Sequence, residues 1–106
     1  MGDPVNSQQQ AEMIAAADIV LEAHRLITGE RQGTYGHPYD DYSKVKRIFY
    51  ALTGIELTIE QAILFMVSVK LARLRTNLEA GRLHHDTLVD TIGYLGCLNI
   101  AHKART

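Results

Sequence analysis

Asp86 and Asp90 stand four residues apart in the segment His85-Asp86-Thr-Leu-Val-Asp90. On a helix that spacing stacks two carboxylates on one face, about 5–6 Å apart at their Cβ atoms. Asp90 is the less ordinary of the two, because Leu88, Val89 and Ile92 surround it with core-type residues. A carboxylate among apolar neighbours must be ion-paired, hydrogen-bonded or bound to a cation. Two chemistries follow: hard oxygen ligands for Mg²⁺ beside a phosphate, or acceptors for a ligand's hydroxyl and amino groups. The structural alternative is a helix cap at Asp86 and an internal salt bridge at Asp90. Lys70 and Arg73, with Arg75 and Arg82 close behind, are the matching cations. If their helix runs antiparallel to the one carrying the acids, Lys70 and Arg73 face Asp86 and Asp90. They then form a structural charge network, or part to admit a phosphate held by the guanidinium fork. The dipole at a helix C-terminus also favours cations there.

A second group lies in the stretch Glu30 to His37, ERQGTYGH, which has two glycines and no apolar pattern and so reads as a loop. Arg31 could meet phosphate or carboxylate, Tyr35 could stack on a base, and His37 adds an imidazole. Free amides after Pro38 could attract an anion, although Asp40 and Asp41 already occupy that charge niche. The stretch lacks the spacing and trailing Lys-Ser/Thr of a Walker loop. His84 and His85 are adjacent and diverge, which reads as an exposed loop pair. Cys97 reads as a buried small residue, and Tyr50 and Tyr94 as core or interface aromatics.

Four helices are expected to position these groups. Residues 1–7 read as a flexible lead-in and 8–106 as a single helical domain. Asn6 or Ser7 can cap a first helix over about Gln8 to Thr28, whose stripe is Met13, Ala16, Ala17, Val20, Ala23 and Ile27. Gly29 is its expected stop. Pro38 suits the first turn of a second helix, with Asp40 and Asp41 at its positive end, Val45, Ile48, Phe49 and Leu52 as buried stripe, and Gly54 as stop. Thr58-Ile-Glu-Gln61 has the form of a capping box for a third helix. That helix is apolar almost all round over Ala62 to Val69, as in a bundle centre or a subunit interface. A connector with Gly81 leads to a fourth helix, about Asp86 to Ala104, with Leu88, Ile92, Leu95 and Leu98 as core stripe. Gly93 and Gly96 remove side chains where another helix could approach. The pattern is all-α, a compact bundle of four helices.

Composition narrows the function classes. The chain has 106 residues, 46% hydrophobic and 22% charged, which suits one ordinary globular domain. A core of this size is marginal alone, so self-association would help it. A net charge of -1 argues against direct DNA binding, which usually draws on a basic excess. One cysteine excludes an internal disulfide and a four-cysteine zinc site. No apolar run approaches a membrane span and no signal-peptide pattern opens the sequence, so the expected setting is a reducing cytoplasm without membrane contact.

The segments Arg31 to Pro38, Lys70-Leu-Ala-Arg73-Leu74 and His85-Asp86-Thr-Leu-Val-Asp90-Thr-Ile-Gly-Tyr94 resemble a family of small phage-encoded proteins of unknown function. That family is in turn similar to the MazG-like all-α nucleotide pyrophosphohydrolases. The resemblance covers about Ile27 to Asn99. It implies a MazG-like helical bundle in the host cytoplasm, a dimer or tetramer that handles nucleotides. The pyrophosphohydrolases hold Mg²⁺ against a nucleoside triphosphate with acidic residues on two helices. The pair on their later helix matches Asp86 and Asp90; the pair on their earlier helix has no match, and Ser68, Lys70 and Arg73 stand where it would fall. Two carboxylates cannot easily hold two Mg²⁺ ions, whereas the cations would attract phosphate directly. The resulting expectation is a nucleotide-binding protein with a degenerate site. Lys70 and Arg73 would contact phosphate, Asp86 and Asp90 would order them or hold one Mg²⁺, and Arg31, Tyr35 and His37 would complete the ligand site. Two alternatives stay open: a Mg-dependent nucleoside triphosphate pyrophosphohydrolase, and a non-enzymatic protein-interaction module.

Overall fold

Hydrogen-bonding side chains set the ends of the helices. In the computed structural model the described residues are 4–30, 33 and 35–105. Helix α1 spans Ser7–Arg25, and Asn6 and Gln9 form a reciprocal capping box at its start. Helix α2 spans Pro38–Thr53, with Pro38 in the first turn and Gly54 ending it in the left-handed region at φ 74°. Helix α3 spans Ile59–Glu79 and opens on the Thr58/Gln61 capping box. Helix α4 spans His85–Arg105, reached through Gly81 at φ 77°. The described residues contain no strand, so the all-α expectation holds.

Gly29 does not stop the first helix. The chain instead widens into a π turn over Leu26–Glu30, and the Thr28 hydroxyl donates to the His24 carbonyl at 2.7 Å. Ile27, within this turn, lies against the two glycines of α4. A Cβ built on Gly93 would sit 3.3 Å from Ile27 Cγ2, and one on Gly96 would sit 2.5 Å from its Cδ1. The expected close approach at these glycines is therefore made by Ile27. Gly93→Leu should push it off, costing about 1–3 kcal/mol of overpacking. Urea denaturation checks this: an unchanged midpoint would mean that the contact carries no weight.

Helix α4, rather than α3, is the hub, since α1, α2 and α3 all pack on it. Its buried face is made of small residues: Thr87, Val89, Thr91, Gly93, Cys97 and Ala101. The expected leucine stripe sits at the margin instead, with Leu88, Ile92 and Leu98 half-buried and Leu95 exposed. Small side chains let helix axes close up, which leaves long ones to the rim. The core joins Tyr42 of α2, Ile59, Ala62 and Ile63 of α3, and Ala101 of α4, with Tyr94 packed against it. Tyr50, by contrast, is exposed.

Two other expected stripes are corrected. On α2, Val45, Ile48 and Leu52 face outward and Phe49 is half-buried, while Pro38 and Tyr42 point inward. On α1, only Ala23 and Ile27 of the expected stripe are buried, and Met13, Ala16, Ala17 and Val20 are exposed. Both patterns are helical in period, yet no neighbour among the described residues covers them. The shape agrees: the radius of gyration is 16.9 Å and the longest extent 54 Å, against about 13 Å for the radius of a compact domain of this length.

Candidate functional site

The basic end of α3 and the acidic start of α4 do meet. Lys70 Nζ donates to Asp90 Oδ2 at 2.9 Å. The lysine side chain is 14% exposed and the aspartate 42%, so the pair sits at the edge of the core with its acid reaching water. This is the ion pair that Asp90's apolar neighbours demand. The Lys70–Asp90 and Glu60–His102 contacts together set an antiparallel register for α3 and α4. In that register Arg73 falls level with residues 87–89, within about one helical turn of Asp86. The two do not bond: neither Arg73 nor Asp86 has an ion-pair partner among the described residues, and both are exposed. The site thus holds one closed pair and, about one helical turn away, an open cation and an open anion.

Asp86 is not the helix cap. His84 takes that place, its Nδ1 3.3 Å from the Thr87 amide and 2.9 Å from the Thr87 hydroxyl. Asp86 instead lies in the first turn of α4, where a negative charge suits the positive dipole end. His85 reaches across to α1, with Nε2 2.7 Å from Glu22 Oε2. The two histidines are exposed as expected, but each has a specific partner. His37, expected near a ligand, caps α2: its Nδ1 accepts from the Tyr39 amide at 3.0 Å. Tyr35 is 56% exposed. Arg31 lies outside the described residues. The hydrogen bond of His37 is thus to its own helix and not to the Lys70–Asp90 pair. Cys97 is fully buried, as expected.

Sequence reasoning missed a neighbouring cleft between α1 and the start of α4. It has a volume of about 460 Å³ and is lined by Asp18, Ile19, Glu22, Arg25 and His85, among others. Asp18, Glu22 and Arg25 recur at spacings of four and three, which puts them on one helical face, a signal available in the sequence. Their junction with His85, 63 residues away, was not. Smaller clefts of about 310 and 370 Å³ lie by Lys46, Glu56 and Leu57, away from the ion pair.

A divalent metal finds no complete donor set here. Asp90 is bonded to an ammonium, and no three His, Cys, Asp or Glu side chains among the described residues are grouped to share a cation. The arrangement among the described residues does not fit Mg²⁺.

Comparison with known proteins places the chain among phage relatives. A family model, a domain of unknown function (DUF6378), matches residues 18–102. The Gene 55 protein of Mycobacterium phage D29 is 32% identical over 80 residues, 76% of this chain and 50% of that protein. The Gene 55 protein of Mycobacterium phage L5 is 32% identical over 81 residues, 76% of this chain and 49% of that one. The chain thus spans about half the length of the curated relatives it matches. No solved structure matches it. The phage side of the expected resemblance is met; none of these matches carries a MazG-like description. No helix among the described residues is long and apolar enough to cross a membrane.

Proposed function

We propose that this chain, which belongs to the family of the domain of unknown function DUF6378, is a nucleotide-binding protein that grips phosphate with Arg73 beside the Lys70–Asp90 pair. The observation that carries the reading is the exposed guanidinium of Arg73, without an ion-pair partner among the described residues and about one helical turn from a lysine already neutralised by Asp90. An exposed arginine of this kind can fork onto two phosphate oxygens, while Asp86 can accept from ligand hydroxyl or amino groups. The Lys70–Asp90 bond holds the two helices in register and so sets the spacing of the open pair. On this reading the bundle is a MazG-like one that has lost its metal donors and kept its phosphate affinity. A phage-encoded protein of this kind would act on nucleotides in the host cytoplasm.

The test is calorimetric titration with nucleoside mono-, di- and triphosphates, without divalent metal. Binding should be present in the parent protein and fall at least tenfold in Arg73→Ala, with the thermal midpoint of the free protein unchanged. Equal affinity in the variant, or no binding of any nucleotide, overturns the proposal. Pyrophosphate release with Mg²⁺ that disappears in Asp90→Asn would replace it with the pyrophosphohydrolase reading.

The interaction-module reading draws on a separate observation, the large apolar side chains left in solvent on α2, α3 and α4.

A further inference from the structure

Helix α2 carries a polar row away from the Lys70–Asp90 pair. Tyr39, Ser43, Lys46 and Tyr50 recur at spacings of four, three and four, which lines them up along one side of the helix. The non-helical residues that follow Gly54 lie beside this row, where Glu56 and Leu57 border two clefts with it. The clefts, of about 310 and 370 Å³, share Lys46, Glu56 and Leu57, so they are two halves of one trough. One half adds Arg47 and Tyr50. The other adds Tyr39, Ser43 and the buried Ile59.

We propose that this trough binds a hydroxyl-bearing phosphate monoester of sugar-phosphate size. The charges that line it are held open. Lys46, Arg47 and Glu56 border the same half, yet none of the three has an ion-pair partner among the described residues, although Lys46 is half-buried. Cations and a carboxylate that share a cleft without pairing leave room for a ligand between them. Arg47 is already oriented, since its Nε donates to the Ser43 carbonyl at 3.1 Å. Its two terminal nitrogens are left to fork onto phosphate oxygens, and the Lys46 ammonium supplies the second charge for a dianion. The other half suits the organic body. Leu57 and Ile59 give it an apolar floor, and the Tyr39 ring gives it a wall. The Glu56 carboxylate only accepts hydrogen bonds, so it repels a bare anion and favours one that brings hydroxyl donors; the Ser43 hydroxyl offers a second contact. Both volumes lie at the small end of ligand clefts, which suits a monoester and not a polymer. Arg73 borders neither half, so this site does not rest on the nucleotide reading above.

Amide NMR spectra of the whole chain, titrated with ribose 5-phosphate to about 10 mM without divalent metal, provide the test. Saturable shifts should appear at Ser43, Lys46 and Leu57. The affinity read there should fall about tenfold in Lys46→Met, which keeps the aliphatic stem and loses the charge, and about as much in Arg47→Gln. It should be unchanged in Arg73→Ala, which separates this site from the one on α3. Inorganic phosphate and ribose, each alone, should bind about tenfold more weakly than the ester or not at all. Adenosine 5′-monophosphate distinguishes the source of the ligand. Tighter binding than ribose 5-phosphate at the same amides supports the site with a nucleotide in it, and weaker binding supports it with a base-free sugar phosphate. No saturable shift at these amides with either ester overturns the proposal. So does equal affinity in Lys46→Met and Arg47→Gln, or inorganic phosphate that binds as tightly as the ester.

Discussion

Ile63→Ala is expected to lower the stability of the fold by about 2–5 kcal/mol, the cost of an unfilled cavity at a fully packed site. Ile63 is 0% exposed and lies in the cluster that ties Tyr42 of α2 and Ala101 of α4 to α3. Its neighbours are held on helix backbones, so they cannot collapse far into the space. Leu21→Ala on α1 is the matched comparison, since it removes an exposed side chain of similar size. That change should stay within about 0.5 kcal/mol. Urea denaturation of both variants checks the pair; equal losses would mean that α3 does not hold the core where it lies.

The second large effect is at the ion pair. Asp90→Ala leaves the ammonium of Lys70, mostly buried, without its partner. Removing one member of a fully buried pair costs about 3–5 kcal/mol, and solvent at the half-exposed acid reduces this to about 1–3 kcal/mol. The double change Lys70→Met with Asp90→Leu should recover most of the loss, because it removes both charges and keeps apolar volume. The same double variant separates structure from binding. If Arg73 grips phosphate by itself and the apolar replacements keep the two helices in register, nucleotide affinity survives in the double variant. If the lysine also contacts phosphate, affinity falls although stability has returned. A single Asp90→Ala variant as stable as the parent would remove the pair from any structural role.

These expectations rest on features that were legible in the sequence to different degrees. Local hydrogen-bonding chemistry was legible in part. Asn6, one of two caps the sequence offered, Thr58 with Gln61, Pro38 and Gly54 mark helix ends where they were read, because a cap needs only residues three or four positions away. Gly29 was the exception. The chain widened there into a π turn, a choice settled by packing Ile27 onto Gly93 and Gly96. The pairing of Lys70 with Asp90 was also readable, since a short connector makes the two helices antiparallel and burial demands a partner for the acid. The partners of His85 and His37 were not. An imidazole can cap, pair or ligate, and its sequence neighbours do not choose among these.

Most helix ends and the meeting of Lys70 with Asp90 were thus determined by the sequence alone, through interactions that span a few residues or one tight turn. Which apolar stripe lies inside was decided by the tertiary structure. Periodicity tells that a face is apolar, but the same period serves a core and an interface. On α2 and α1 the expected stripes point to solvent, and on α4 the small residues displace the leucines from the centre. The reason is geometric: helices that share one hub must approach it closely. Compact side chains fill that contact, and bulky ones are left on the surface for whatever packs there next.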